Sequence, residues 1–487
     1  VVIRATAGLC EVVKRHATGT PTLVVGCDAR YGSSEFATAA CRVASAAGVR
    51  VLALPQANPT PLTSFSMLHF DADAGVMVTA SHNPAPDNGY KVYLGGTVVQ
   101  GDGRGVQIVP PFDAEIAAAI EAAPPADEVP MNDDLIEAVD PREEYVACAS
   151  ALASGEASAR EDLRIVLTAM HGVGAAITSR VLAEAGFSNV SLVAAQADPN
   201  PDFPTVPFPN PEEAGALDMA IEQAREQGAD LIIAVDPDAD RCALAVPDPT
   251  SETGWRPLSG DQIGSLLGEF LASRGMKGSL ANSIVSSRLL SRIARAHGLD
   301  HHTTLTGFKW IARAPGLGFG YEEAIGFCPD PAHVRDKDGI ATSVVAASLV
   351  AALKAQGCSV WDELERLARL HGLHVSSPLT FRVEQIEQIA SGMARLRAQP
   401  PSVLAGSPVV EVSDLSQGYR GLPPTDGVLV LTEAGDRVIA RPSGTEPKLK
   451  CYLEVILPVA EGESLPWEQA RERLEAIKGA FAEIIGL

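Results

Sequence analysis

Four short segments of this chain carry residues whose types and spacing can do chemistry. The first is TASHNPAPDNGYKVY, residues 79–93, where Ser81 and His82 stand side by side among turn-forming residues. A serine hydroxyl can carry a phosphoryl group when a proton partner and a charge-neutralising neighbour are close. Alone, the pair also fits a turn whose serine and asparagine satisfy local backbone groups. The second segment is Asp236-Pro237-Asp238-Ala239-Asp240-Arg241. Carboxylates at i, i+2 and i+4 of a turn can converge on one hard cation, and an all-oxygen set suits Mg²⁺. A calcium-binding EF-hand also starts D-x-D-x-D. It needs Gly and Glu where this chain has Arg241 and Pro247, so that reading fails. A solvated acidic turn is the plainer alternative.

The third segment, Arg441-Pro442-Ser443-Gly444-Thr445-Glu446-Pro447-Lys448, offers a guanidinium, two hydroxyls and a glycine-permitted turn. Those are the parts of a phosphate clamp, although a plain turn has the same composition. No G-x-x-x-x-G-K-[ST] loop occurs. The fourth places Glu322 and Glu323 between Gly320 and Gly326. Adjacent carboxylates there can accept hydrogen bonds from sugar hydroxyls, or sit in an exposed turn. The nearby GLGFG, residues 316–320, lacks the spacing of a dinucleotide-binding loop. Phosphoryl transfer needs an in-line nucleophile, charge neutralisation and a grip on phosphate. The four segments supply these parts together.

The elements that must hold these loops alternate between strand and helix patterns. Apolar runs at 22–26, 49–54, 75–79, 164–167, 190–193 and 231–235 read as strands, and 34–47, 174–185 and 217–227 as helices. Serine follows one such run and the aspartates another, which is where open α/β sheets place their ligands. A third cycle has helices at 261–273 and 287–296, a strand near 280–285 and an apolar helix after Asp338. Repeated βα cycles predict parallel sheets. The last stretch differs, with strands at 381–383, 427–431, 437–440 and 451–456 and a closing helix at 467–485. Residues 110–160, rich in Ala, Pro and acidic side chains, read as a boundary. The Pro-rich segment 198–213 reads either as a rigid linker or as a long ordered loop.

At 487 residues the chain is too long for one core. A net charge of −23 opposes nucleic-acid binding while leaving room for local basic pockets. Eight scattered cysteines without a C-x-x-C fit neither a zinc cage nor a disulfide framework, so a reducing cytoplasm is expected. No apolar run approaches the roughly 20 residues of a membrane span. The start, VVIRATAGLCEVVKRHA, has no Met and reads as a helix already under way, with the true N-terminus missing.

These loops, in this order, resemble the α-D-phosphohexomutase superfamily of phosphoglucomutases and phosphomannomutases, over essentially the whole chain. The resemblance implies an α/β protein of four domains around a central cleft. Three would have mixed or parallel sheets and the C-terminal one would be α+β. We place their limits at 1–155 (lacking its first strand), 156–258, 259–375 and 376–487. It implies that Ser81 is a phosphoserine and that Asp236, Asp238 and Asp240 bind Mg²⁺, with Ser81 completing the shell. Lys91, His82 and Arg241 join Ser81 as catalytic candidates, Lys91 as general acid/base. Glu322 and Glu323 would read the sugar. Arg441, Ser443, Gly444 and Thr445 would hold phosphate. Arg30 in GCDARYGSS, Lys309 in GFKW, and His333, Arg335 and Lys337 in HVRDKDG would complete substrate binding. The EEAIG sugar loop resembles a branch of phosphopentomutase-type enzymes and bacterial phosphoglucomutases. There Ala324 replaces a sugar-contacting serine. The family's N-terminal F-G-T-x-G-x-R-G segment is absent from this sequence.

The expected activity is interconversion of hexose 1-phosphate and hexose 6-phosphate through a hexose 1,6-bisphosphate. Glucose leads, and mannose or pentose phosphates follow. Glucose 1,6-bisphosphate is the expected activator. The expected partner is a phosphosugar, with no nucleic acid or membrane, and the chain would be a monomer or homodimer in the cytoplasm. A metal-dependent sugar phosphatase and a non-catalytic sugar-phosphate sensor are the competing classes.

Overall fold

The computed structural model describes residues 1–383, 385–442 and 447–486. It contains two compact units, one of Val1–Ala281 and Gly307–Val360, the other of Asn282–Thr306 and Trp361–Leu487. No single helix among the described residues is long and apolar enough to cross a membrane. All eight cysteines are free thiols.

In the first unit a six-stranded sheet centres on Thr22–Cys27, with Arg50–Ala53 and Ala74–Val78 parallel on either side. Every residue of Ala74–Val78 is buried, as expected of an inner strand covered on both faces. The strand Tyr90–Leu94, which carries Lys91, runs antiparallel beside it. A five-stranded sheet repeats the plan. Arg164–Thr168 lies between Asn189–Leu192 and the wholly buried Leu231–Val235, all parallel, and Cys242–Pro247 returns antiparallel. These sheets are mixed because the chain reverses at once after the serine and aspartate loops. The helix Gly339–Ala355 is buried on nearly every face, the signature of a core helix. Its N-cap is the Asp338 side chain, which accepts from Ala341 N at 2.8 Å.

Residues 110–160, the expected boundary, carry structure of their own. Ile136–Ala138 adds a parallel strand beside Arg50–Ala53. Tyr145 is fully buried and donates its hydroxyl to Asp338 at 2.8 Å. A few well-placed apolar residues anchor a segment whose average composition is rich in Ala, Pro and acidic side chains. The Pro-rich segment 198–213 is the ordered loop: Phe203 and Val206 are buried against Met170 and Ala216.

The second unit has an antiparallel six-stranded sheet in the order Leu373–Arg382, Lys448–Leu457, Arg437–Pro442, Val428–Thr432, Ser407–Asp414, Val403–Leu404. The helices Ile386–Ala398 and Trp467–Ile485 contribute Met393, Leu396, Leu474 and Phe481 to its core. Leu373–Arg382 is much longer than the expected strand at 381–383. Its residues alternate between half-buried and exposed, so it has no apolar run to announce it.

Candidate active site

Both reactive loops leave the C-terminal ends of buried strands, and both bend through a left-handed residue. Ser81 has φ +50° and Ala239 has φ +56°. Non-glycine residues in that region cost about 1–3 kcal/mol each and persist where the surroundings over-determine them. The bend turns Ser81 Oγ onto the aspartates. It donates to Asp236 Oδ2 at 2.8 Å and lies 3.2 Å from His82 Nδ1. Asp236, Asp238 and Asp240 are fully buried, and each offers an oxygen within 4.8 Å of the others.

Lys91 Nζ donates to Asp238 Oδ2 and to Asp240 Oδ2, each at 2.7 Å. Lys337 Nζ lies 3.1 Å from Asp240. Thr60, which the sequence did not single out, donates Oγ1 to Asp238 Oδ2 at 2.5 Å and its backbone N to the Asp238 carbonyl. Even so, Asp238 Oδ1 and Asp240 Oδ1 are buried without a hydrogen-bond partner. Orphaned buried acceptors are costly. Oxygen-only donors with spare lone pairs fit a hard divalent cation.

The charges here are strained against one another. Burial, then Asp238 and Asp240, push the Asp236 carboxyl well above the usual range. Burial works the same way on Asp240, but Lys337, Lys91 and Arg241 outweigh it and hold that carboxyl below its usual value. His82 is pushed down to about 3 by burial and then by Arg241, so it is neutral at physiological pH. Lys91 corrects an expectation. A base there calls for a cationic neighbourhood that lowers its pKa. Burial does oppose the ammonium, but Asp238, Asp240 and Asp336 override it and raise the pKa.

The sugar-loop candidate is bound to the aspartate loop through backbone. Arg241 donates its N–H to Asp236 Oδ1 at 2.9 Å and Nη1 to the Ala324 carbonyl at 3.0 Å. Cys242 N donates to the carbonyl of Ile325, itself left-handed at φ +52°. Glu322 ends the strand Leu317–Glu322 opposite Gly326, and its charge faces Arg241 and Lys337. Gly339 seals the junction, since a Cβ there would stand 2.3 Å from the Arg241 carbonyl.

The remaining candidates are dispersed. Arg30 is buried and donates to four carbonyls of the serine loop, so its guanidinium faces protein rather than a substrate. His333 is exposed and pairs with Asp330 at 2.7 Å, and Arg335 donates to the Asp102 carbonyl. Lys309 sits half-buried in the short helix Phe308–Ile311, and Glu323 in the turn after Glu322. Arg441 lies in Arg437–Pro442 of the second unit. Ser443, Gly444 and Thr445 lie outside the described residues.

Comparison with known proteins supplies the deciding observation. Models of the phosphoglucomutase/phosphomannomutase domains match in chain order: α/β/α domain I at residues 1–126, domain II at 143–250, domain III at 259–369 and the C-terminal domain at 382–483. The chain belongs to the phosphoglucomutase/phosphomannomutase family. It is a four-domain enzyme that moves phosphate within a sugar. A probable phosphomannomutase of Haemophilus influenzae is 44% identical over 93% of this chain and 92% of its own length. A phosphoglucomutase of Staphylococcus haemolyticus is 34% identical over 89% and 83%, and the human phosphopentomutase 31% over 99% and 85%. Among solved structures, a putative phosphomannomutase from Thermus thermophilus superposes with a TM-score of 0.73 at 25% identity, covering 98% of this chain and 94% of that one.

Proposed function

We propose that this family member interconverts hexose 1-phosphate and hexose 6-phosphate through a phosphoryl group on Ser81. The observation that supports this is the placement of Ser81 Oγ 2.8 Å from Asp236, at the mouth of three buried carboxylates. In the first half-reaction the P–O bond to Ser81 breaks as the free sugar hydroxyl bonds to phosphorus, and that hydroxyl's proton ends on Ser81 Oγ, which is restored as a hydroxyl. The product is a hexose 1,6-bisphosphate. In the second half-reaction its other phosphate returns to Ser81, leaving the isomer. Glucose 1,6-bisphosphate added in trace would prime a serine that has lost its phosphate.

Asp236, Asp238 and Asp240 would hold Mg²⁺. When bound, such a cation neutralises charge developing on a transferring phosphate. Lys91 can accept the hydroxyl proton only when the hold of Asp238 and Asp240 on its ammonium is relaxed. Glu322 and Glu323 would read sugar hydroxyls. Arg441, Ser443, Gly444 and Thr445 would hold the phosphate that is not reacting, with Lys309, His333 and Arg335 as further substrate contacts. Lys337 and Arg241 serve better as counter-charges that shape the aspartate loop. Arg30 serves better as its neighbour loop's backbone tie.

The sugar is the open choice. Glucose leads on the sequence alone, while the name of the Haemophilus influenzae relative favours mannose. A coupled assay with Mg²⁺ and trace glucose 1,6-bisphosphate, comparing mannose 1-phosphate, glucose 1-phosphate and ribose 1-phosphate, decides it. Turnover of a hexose phosphate above the pentose supports the proposal. Release of inorganic phosphate without isomerisation makes the chain a phosphatase. Ser81→Ala should lower turnover by at least about 1,000-fold while substrate still binds. Full activity in that variant refutes the phosphoserine.

A further inference from the structure

The Pro-rich loop 198–213 has no part in the chemistry described so far, yet it touches the serine loop, and Arg30 is the link. The Arg30 guanidinium donates from Nη2 to the carbonyls of Ser81 (2.6 Å) and Asn83 (2.7 Å), and from Nη1 to those of Pro84 (2.9 Å) and Asp87 (3.2 Å). A planar fork orders four carbonyls at once only while its own plane is fixed. Asp28 Oδ2 lies 3.4 Å from Nε as an ion pair without a hydrogen bond, so it balances the charge but leaves the plane free to tilt. Arg30 Cζ stands over the Phe203 ring, 5.0 Å from its centroid, within cation–π range.

The ring is fixed in turn. Phe203 packs with Met170, Val206 and Ala216, and Ala85 of the serine loop rests on the same group. The void left among Arg30, His171, Asn200, Phe203 and Pro237 is about 10 Å³, at the lower limit for one water. Phe203 takes φ +47°, which a large aromatic keeps only where its surroundings enforce it. Next to it, Asp202 accepts from the Tyr31 hydroxyl at 2.8 Å. The two sides come from different domains, since Arg30 and Ser81 fall in the domain I match and Phe203 in the domain II match.

We propose that Phe203 is a positioning residue for Ser81. Through its cation–π contact with Arg30 it holds the guanidinium that strings the serine loop, and so sets where Ser81 Oγ stands against Asp236. It acts through Arg30 and touches neither the sugar nor the aspartates. Only the kinetic half of the proposal rests on Ser81 being the phosphoryl carrier.

The test uses the full chain with Phe203→Leu, which keeps apolar bulk and loses the ring face, and Phe203→Tyr, which keeps the face. Phe203→Leu should lower kcat by about tenfold or more with KM for the hexose phosphate within about twofold, the mark of misplaced groups rather than lost binding. Phe203→Tyr should recover most of that loss. Hydrogen exchange across residues 79–89 should quicken in the Leu variant and stay slow in the Tyr variant. Arg30→Lys, which keeps charge without the fork, should quicken the same segment and serves if Phe203→Leu does not fold. Unchanged kcat and exchange in Phe203→Leu overturn the proposal. So does a parallel fall of kcat and thermal midpoint in both Phe203 variants, which is the behaviour of a purely structural residue. If the wild type turns over no hexose phosphate, the mutase reading falls, and the exchange measurement still decides this one.

Discussion

The two units each bury a cluster of charge, and the clusters are built on opposite rules. In the second unit Glu454 is 1% exposed. It accepts from Arg288 Nε at 2.6 Å, Arg288 N at 2.8 Å, Ser287 Oγ at 2.7 Å and His374 Nδ1 at 3.2 Å, and it pairs with Arg437 at 3.3 Å. Arg437 in turn donates to the Ile284 and Ser286 carbonyls. Burial works to raise the Glu454 carboxyl, but Arg437, His374 and Arg288 outweigh it and hold it well below the usual range. In the first unit, burial and like charge push Asp236 the other way, and two neighbouring carboxylate oxygens, on Asp238 and Asp240, have no hydrogen-bond donor. Glu454 has both carboxylate oxygens hydrogen-bonded or ion-paired, which suits a group that ties a domain together. The aspartate cluster keeps carboxylate oxygens without a hydrogen-bond donor, which is where a ligand can complete the structure.

The largest effect that would break this contrast is at Asp236. Asp236→Asn should lower turnover by about 100- to 1,000-fold, the scale of losing one electrostatic stabiliser of a transition state. With divalent cations chelated, its thermal midpoint should equal or exceed that of the wild type, because a repelling carboxylate has been removed. The wild type should gain stability as Mg²⁺ is added, by mass action on the folded state, and the variant should gain little. Thermal melts across a Mg²⁺ titration check both statements. A large loss of stability in chelator would place Asp236 with Glu454 as architecture.

Glu454→Gln should show the reverse. Removing one partner of a buried ionic cluster typically costs about 3–5 kcal/mol, readable in urea unfolding, while kcat per folded molecule should change by no more than about threefold. The pH dependence has a defined sign. A carboxyl held low in the folded state adds stability that is present above its unfolded pKa of about 4.3 and is lost as pH falls through the lower folded value. The wild type should therefore lose stability in acid more steeply than Glu454→Gln.

The contrast also explains what could be read from the sequence. The aspartate loop is local: three carboxylates within five residues, after the uninterrupted run Leu231–Val235, announce both a buried parallel strand and a converging set of carboxylates that could hold a metal ion. Ser81 is legible for the same reason. Glu454 is not, because its partners arrive from residues 288, 374 and 437 and no spacing connects them. Thr60 on Asp238 and Phe203 on Arg30 are equally long-range. The environment of Lys91 is hidden in the same way, because two aspartates from a distant loop set it. In the second unit, strands such as Leu373–Arg382 carry alternating half-buried residues, a weaker signal than an apolar run.

Asp338 sharpens the comparison from a third side, with the smallest expected effect. It is 2% exposed, and burial pushes its carboxyl up to about 7, against the hydrogen bonds from Ala341 N and Tyr145. Both bonds end on Oδ1, which the amide oxygen of asparagine can replace. A carboxyl whose folded pKa is raised gives stability that is fully present below its unfolded pKa, near 3.9, and is lost as pH rises through about 7. Asp338→Asn should therefore be more stable than the wild type at pH 8, because it buries no charge. The advantage should shrink as pH falls below about 7 and vanish only toward pH 4, where the carboxyl is neutral in the unfolded chain as well. Glu454→Gln should show its deficit at pH 8 and lose it in acid. Melting both variants from about pH 2 to pH 8 thus yields slopes of opposite sign relative to the wild type, the Glu454→Gln slope falling below about pH 4 and the Asp338→Asn slope above it. Parallel slopes would show that burial alone, and not the partners supplied, decides how these carboxyls titrate.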